Sequence, residues 1–215
     1  RIDGIFGPRS QDAVQDFQRN AGLTVDGIFG SDGLDALNRL GNRTEAHAVT
    51  AMAERIKLAG RELSIPRLAL GHNGTAAVFI GAIERRCRQR GVASVALHHS
   101  SPSWRAAAAN RFGAEAYLDI RPSSASVFKL THFKSSDGNP SAGGDALGHH
   151  LAERLSTLTS LAPTREGNRL PVLRETSMPA VILRLGPLAD LVGKTADLAD
   201  SIVAGLDDWS RAPTL

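Results

Sequence analysis

Histidines are the first candidates for chemistry in this 215-residue chain, because imidazole binds metals and transfers protons near neutral pH. His72 stands in the glycine-rich run Gly71-His-Asn-Gly74, and the histidines after it are the pair 98–99, His132 and the pair 149–150. Neighbouring residues of a strand point to opposite faces, so residues 98 and 99 are not expected to share one ion. We interpret these later histidines as structural, with a rearranged metal site at His72 as the alternative.

The elements that would position these side chains alternate between strand and helix from residue 65 onward. Short apolar runs bounded by turn residues predict strands, and apolar residues at helical spacing predict helices. The strands are expected at 68–70, 93–97, 116–120, 127–131 and 180–185, and the helices at 76–90, 104–112, 142–158 and 196–209. This order predicts an α/β fold with helices on both faces of a sheet.

Composition excludes several classes of protein. Hydrophobic residues make up 42% of the chain, and 25 Lys and Arg against 22 Asp and Glu give a net charge of +3. These values are typical of a folded globular chain, and they give no reason to expect a nucleic-acid partner. No apolar run approaches the ~20 residues of a membrane-spanning helix. The single cysteine, Cys87, rules out an internal disulfide framework.

A short repeat marks the first part of the chain. Asp3-Gly-Ile-Phe-Gly-Pro8 returns 23 residues later as Asp26-Gly-Ile-Phe-Gly-Ser31, and a stretch with helical spacing follows each copy. Asp-Gly favours a tight turn, because glycine tolerates positive φ and aspartate bonds its own backbone. The repeat therefore predicts two turn–helix units that share a core.

Together with Phe17-Gln18 and Leu34-x-x-Leu37, this repeat resembles the peptidoglycan-binding module of bacterial wall hydrolases. The resemblance implies a small all-α module over residues 1–43, followed by a connecting helix over 44–64. In that family a further helix precedes the first Asp-Gly turn, so we expect it upstream of Arg1 or else a truncated module. The implied binding residues are Asp3, Gly4, Phe6, Asp26, Gly27 and Phe29.

Residues 65–211 resemble the zinc-dependent N-acetylmuramoyl-L-alanine amidases. Three segments carry the resemblance in the family's order: Gly71-His-Asn-Gly74, Arg105-x-x-x-Ala-Asn110 and Val172-Leu-Arg…Met-Pro-Ala-Val-Ile-Leu183. The resemblance implies a twisted mixed sheet flanked by helices. It also implies a site with three zinc ligands and a glutamate as general base.

Carried over by position, that site is degenerate. His72 keeps the first ligand position, and no acidic residue stands before Glu84 for the second. Arg121 occupies the third ligand position and Arg184 the position of the catalytic glutamate. Arginine is always protonated in proteins and has no lone pair for a metal. We therefore predict a pseudoenzyme that holds no metal and no other cofactor.

Two interpretations of the arginines remain open. Arg121 and Arg184 would together bind a carboxylate or phosphate, with His72 beside them, or Asp119, Glu115 or Glu175 would neutralise them. The leading function is binding of peptidoglycan or muramyl-peptide fragments, or regulation, by a non-catalytic protein of the cell wall. The alternatives are an active zinc amidase and a scaffold for cell-wall synthesis proteins. A regulator acting on wall precursors would instead be cytoplasmic.

Overall fold

The computed structural model describes residues 7–41, 67–135 and 138–214. The chain divides into two compact units, Arg1–Thr50 and Ala51–Leu215. The predicted connecting helix over 44–64 and the first Asp-Gly turn, with Asp3, Gly4 and Phe6, lie outside the described residues.

The first unit contains two described helices, α1 (Pro8–Ala21) and α2 (Ser31–Gly41). A proline begins α1, and this position suits it because the first N–H groups of a helix have no partner within the helix. Gly22 ends α1 in the left-handed conformation with φ of 70°, which glycine adopts without strain. The all-α character predicted for this part of the chain is confirmed in the described residues.

The second unit alternates strands and helices along the chain. The strands are β1 (Leu68–His72), β2 (Ser94–His98), β3 (Ala116–Pro122), β4 (Val127–Phe133), β5 (Thr164–Asn168) and β6 (Ala180–Gly186). The helices are α3 (Ala77–Gln89), α4 (Pro102–Phe112), α5 (Ala142–Leu155), α6 (Pro171–Glu175), α7 (Leu188–Val192) and α8 (Thr195–Arg211).

The strands form one mixed sheet in the order β2-β1-β3-β6-β4-β5. Neighbouring strands are parallel except for β4 and β6, which run antiparallel. The predicted twisted mixed sheet flanked by helices is thus confirmed. Strand β5 was not predicted, because its sequence Thr-Arg-Glu-Gly-Asn has no apolar residue and lies at the exposed edge of the sheet.

Two hydrophobic cores cover the two faces of this sheet. Helices α3, α5 and α8 pack on the first face, where Trp209 is fully buried and its indole N–H donates to the Gly143 carbonyl at 3.1 Å. Helices α4 and α6 pack on the second face around Tyr117. In the described part of the chain, no helix combines the length and the apolar character needed to cross a membrane.

Candidate functional site

The three predicted site residues His72, Arg121 and Arg184 lie at the carboxyl ends of parallel strands, and so does His98. His72 of β1 is in register with His98 of β2, and Arg121 of β3 is in register with Arg184 of β6. Because β1, β2, β3 and β6 are parallel, these positions share one edge of the sheet, where open α/β sheets generally bind ligands.

The two imidazoles of His72 and His98 stack on each other. Their ring centroids are 4.8 Å apart and the rings are nearly parallel, at 12°. Nδ1 of His72 accepts a hydrogen bond from the Gly74 backbone N–H at 3.1 Å. Burial lowers the pKa of His72, and the nearby His98 and Arg105 lower it further. His72 is therefore neutral at pH 7, with its Nδ1 lone pair already engaged.

These residues do not fit the tetrahedral zinc site that the amidase fold implies. Such a site needs three protein ligands of the His, Cys, Asp or Glu type around one open position. Among the described residues, no group of three such side chains is placed to hold a metal ion. The sequence analysis considers His98 and interprets it as structural, and the strand register places it beside His72.

A buried charge network lies beside this pair, on the second face of the sheet. Asp119 is 1% exposed and accepts hydrogen bonds from Arg105 and Arg121, each at 3.1 Å. The almost fully buried Arg105 also donates to the Tyr117 hydroxyl and to the His99 carbonyl. Burial raises the pKa of Tyr117, so its hydroxyl stays protonated. Asp119 is thus the carboxylate that neutralises Arg121, one of the alternatives considered from the sequence.

Close packing around the tyrosine explains the glycine before His72. A Cβ atom at Gly71 would lie 2.0 Å from the Tyr117 hydroxyl oxygen, which is far inside van der Waals contact. Only glycine leaves room for the ring at this point of β1. Gly71 therefore belongs to the packing of the Tyr117 and Arg105 network.

Three basic residues stand side by side across β3, β6 and β4. The register aligns Arg121 with Arg184, and Arg184 with Lys129. Strand alternation places all three on the second face of the sheet, whereas His72 alternates to the first face. We call Arg121, Arg184 and Lys129 the cationic row. Lys129 is not among the site residues predicted from the sequence, and the register places it next to Arg184.

The members of the cationic row differ in their partners. Arg121 is held by Asp119, and Lys129 pairs with Glu166 at 2.8 Å on the neighbouring strand β5. Arg184 is exposed, and no carboxylate of the described residues pairs with it. The central guanidinium therefore has free donors between two other cations.

In the first unit, the second Asp-Gly turn is fixed by the side chain of Gln18. Its amide N–H₂ donates to the Asp26 carboxylate at 2.7 Å, and its oxygen accepts from the Gly27 backbone N–H at 2.9 Å. The pKa of Asp26 is lowered by the Ile28 backbone N–H and then by Gln18. Phe29 packs against Phe17 of α1, with ring centroids 5.8 Å apart. The Phe-Gln pair of the sequence motif thus builds the turn.

The other histidines in the described residues lie away from this edge or face other groups. His99 stacks on Trp104 with ring centroids 4.7 Å apart. His132 is buried in β4 beside Asp145, and burial lowers its pKa. His149 and His150 both lie near Glu153 on α5. None of these side chains stands with His72 and His98.

Comparisons with known proteins agree with both units. A family model of the peptidoglycan binding domain matches residues 1–37. N-acetylmuramoyl-L-alanine amidase CwlM of Mycobacterium tuberculosis is 27% identical over 217 residues, which cover 86% of this chain and 53% of that protein. The chain therefore spans about half the length of this curated relative.

Solved structures resemble the second unit at lower identity. The N-acetylmuramoyl-L-alanine amidase AmiC2 of Nostoc punctiforme matches with a TM-score of 0.53 and 18% identity, covering 71% of this chain and 99% of that one. An N-acetylmuramoyl-L-alanine amidase from Clostridium difficile matches with a TM-score of 0.56 and 15% identity, covering 68% and 97%.

The second unit therefore has the fold of the N-acetylmuramoyl-L-alanine amidases. The chain is similar in sequence to the amidase CwlM, and its residues 1–37 match the peptidoglycan binding domain.

Proposed function

We propose that this protein binds peptidoglycan or its muramyl-peptide fragments and does not hydrolyse them. The observation that carries the proposal is the pair Arg121 and Arg184, in register at the carboxyl ends of β3 and β6. The family resemblance places a zinc ligand and the catalytic glutamate at these two positions. Both are occupied by side chains that neither bind a cation nor accept a proton.

Electrostatics opposes a zinc ion at this place. Two unit charges of the same sign repel by about 4 kcal/mol at ~4 Å, even at an effective dielectric constant of about 20. The single carboxylate of Asp119 offsets only part of this repulsion, because Arg105 and Arg121 share it. Loss of a general base by itself lowers a hydrolysis rate by about 10²–10⁴-fold.

The stacked histidines do not supply a substitute site. His72 and His98 contribute two imidazoles, and Nδ1 of His72 is engaged by the Gly74 N–H. A catalytic zinc site requires a third protein ligand and a base near the bound water. In the described residues no third ligand accompanies the pair.

We assign binding of peptidoglycan or its fragments to two separate places, the first unit and the strand-end edge of the sheet in the second unit. The match of residues 1–37 to the peptidoglycan binding domain supports an interaction with the polymer. We infer that the protein acts in the cell wall, outside the cytoplasmic membrane, because that is where the polymer lies.

Two measurements on the full chain test this proposal. The protein is incubated with insoluble peptidoglycan and added zinc, and both the sedimented protein and the released stem peptides are quantified, the latter by mass spectrometry. We expect the protein to sediment with the polymer and to release no peptide. Release of stem peptides in proportion to the amount of protein added would overturn the non-catalytic assignment. Failure of the protein to sediment with the polymer would favour the alternative of a scaffold for cell-wall synthesis proteins.

A further inference from the structure

We propose that the cationic row is a binding site for a ligand that carries two negative charges on oxygen atoms. This inference rests on the proposed function, because it assigns a ligand class to the site that the hydrolytic residues would occupy. The row consists of Arg121, Arg184 and Lys129 on neighbouring strands of one sheet face.

The first argument is the spacing of the row. Adjacent strands are about 4.8 Å apart, so side chains aligned across three strands begin within about 10 Å of each other. Like charges directly opposite each other on a sheet destabilise it. Two such contacts meet at Arg184, which lies between Arg121 and Lys129. A bound anion would relieve this repulsion.

The second argument is the local charge. The row and Arg105 together carry four positive charges, and the carboxylates paired with them are Asp119 and Glu166. These six groups therefore have a net charge of +2, and Arg184 is the cation without a carboxylate partner among the described residues. A dianion is the ligand charge that matches this surplus.

The third argument is the preorganisation of the donors. Asp119, 1% exposed, fixes the Arg121 guanidinium and is itself fixed by Arg105. Arg184 is exposed in the middle of the row, so its N–H groups are accessible. Guanidinium groups bind phosphate and carboxylate through two parallel hydrogen bonds. A diphosphate group and a peptide with two carboxylates share this chemistry.

Isothermal titration calorimetry on the full chain distinguishes these two sources. One titration uses inorganic pyrophosphate, and the other uses a phosphate-free muramyl peptide that carries two carboxylates. The test variant is Arg184→Gln, and Arg184→Lys keeps the charge without the guanidinium fork. The matched control is Arg88→Gln, which removes the same charge from an exposed position of α3, on the opposite face of the sheet.

We expect at least one of the probes to bind, with a dissociation constant that rises with salt. Arg184→Gln should weaken it about tenfold or more, because a charge-assisted hydrogen bond is lost. The dissociation constant of Arg184→Lys should lie between those of the wild type and Arg184→Gln, and that of Arg88→Gln should equal the wild-type value. The proposal is overturned if neither probe binds, or if Arg88→Gln and Arg184→Gln weaken binding equally. Both of these calorimetric results would leave the proposal of a non-catalytic protein intact. Release of peptide from peptidoglycan, in contrast, would contradict the non-catalytic proposal and not the calorimetric result.

Discussion

The Asp119 carboxylate is the link between the buried core and the cationic row, and its replacement tests both. We predict that Asp119→Asn destabilises the second unit by about 3–5 kcal/mol, the usual cost of leaving one partner of a buried ion pair uncompensated. The charge left behind belongs to Arg105, whose side chain is 4% exposed.

The magnitude follows from the geometry of the two ion pairs. For Arg105 the nitrogen–oxygen distance is 3.1 Å, and at an effective dielectric constant of about 20 the Coulomb attraction is about 5 kcal/mol. The Arg121 side chain is 38% exposed, so its pair with Asp119 contributes about 1 kcal/mol or less. Most of the predicted loss therefore comes from Arg105.

Urea unfolding followed by tryptophan fluorescence measures this loss. Both tryptophans, Trp104 and Trp209, lie in the second unit, so the signal reports on that unit. The control is Glu166→Gln, which removes the exposed pair with Lys129 and should cost less than about 1 kcal/mol.

A double-mutant cycle completes this test. Arg105→Met removes the buried cation, so the double variant with Asp119→Asn should be about 2 kcal/mol more stable than the sum of the single effects implies. If Asp119→Asn costs less than 1 kcal/mol, or if the two effects are simply additive, the assignment of a buried, coupled ion pair is incorrect.

Three further predictions concern other parts of the chain. Burial lowers the pKa of His72 below its unfolded value of about 6.5, so its contribution to stability is present above pH 6.5 and is lost as the pH falls. The urea midpoint of His72→Gln should therefore depend less on pH between pH 5 and 7 than that of the wild type. Gln18→Leu should reduce sedimentation with peptidoglycan about tenfold and destabilise the first unit by about 1–3 kcal/mol, because it leaves the Asp26–Gly27 turn without its partner; normal sedimentation would contradict this. Cys87 is fully buried and its pKa is raised to about 11, so a thiol reagent at pH 8 should label it only after unfolding; rapid labelling of the folded protein would refute its burial.

Local sequence signals predicted most elements of the second unit. Helix α4, for example, begins after Ser101, whose hydroxyl accepts from the Trp104 N–H, and ends at Gly113 with φ of 65°. Capping residues of this kind act over a few positions, so they are visible in a single sequence. Strand β5 lacked such a signal, because an edge strand needs no apolar residues.

The cationic row could not be predicted because it depends on strand order. Strands β3 and β4 follow each other in the chain, yet β6 lies between them in the sheet and brings Arg184 next to Lys129. Composition and periodicity do not encode such long-range pairing. The family resemblance identified Arg121 and Arg184, and only the register added the third cation.

The central claim is that the amidase fold of this chain holds cations where a hydrolase holds its metal and base. Its most direct test is a crystal structure of the full chain grown with zinc, with diffraction data collected at the zinc absorption edge. We predict no anomalous peak within bonding distance of His72, and guanidinium density at Arg121 and Arg184 as described. A zinc peak bound by three protein ligands, with a carboxylate beside its fourth position, would contradict this account.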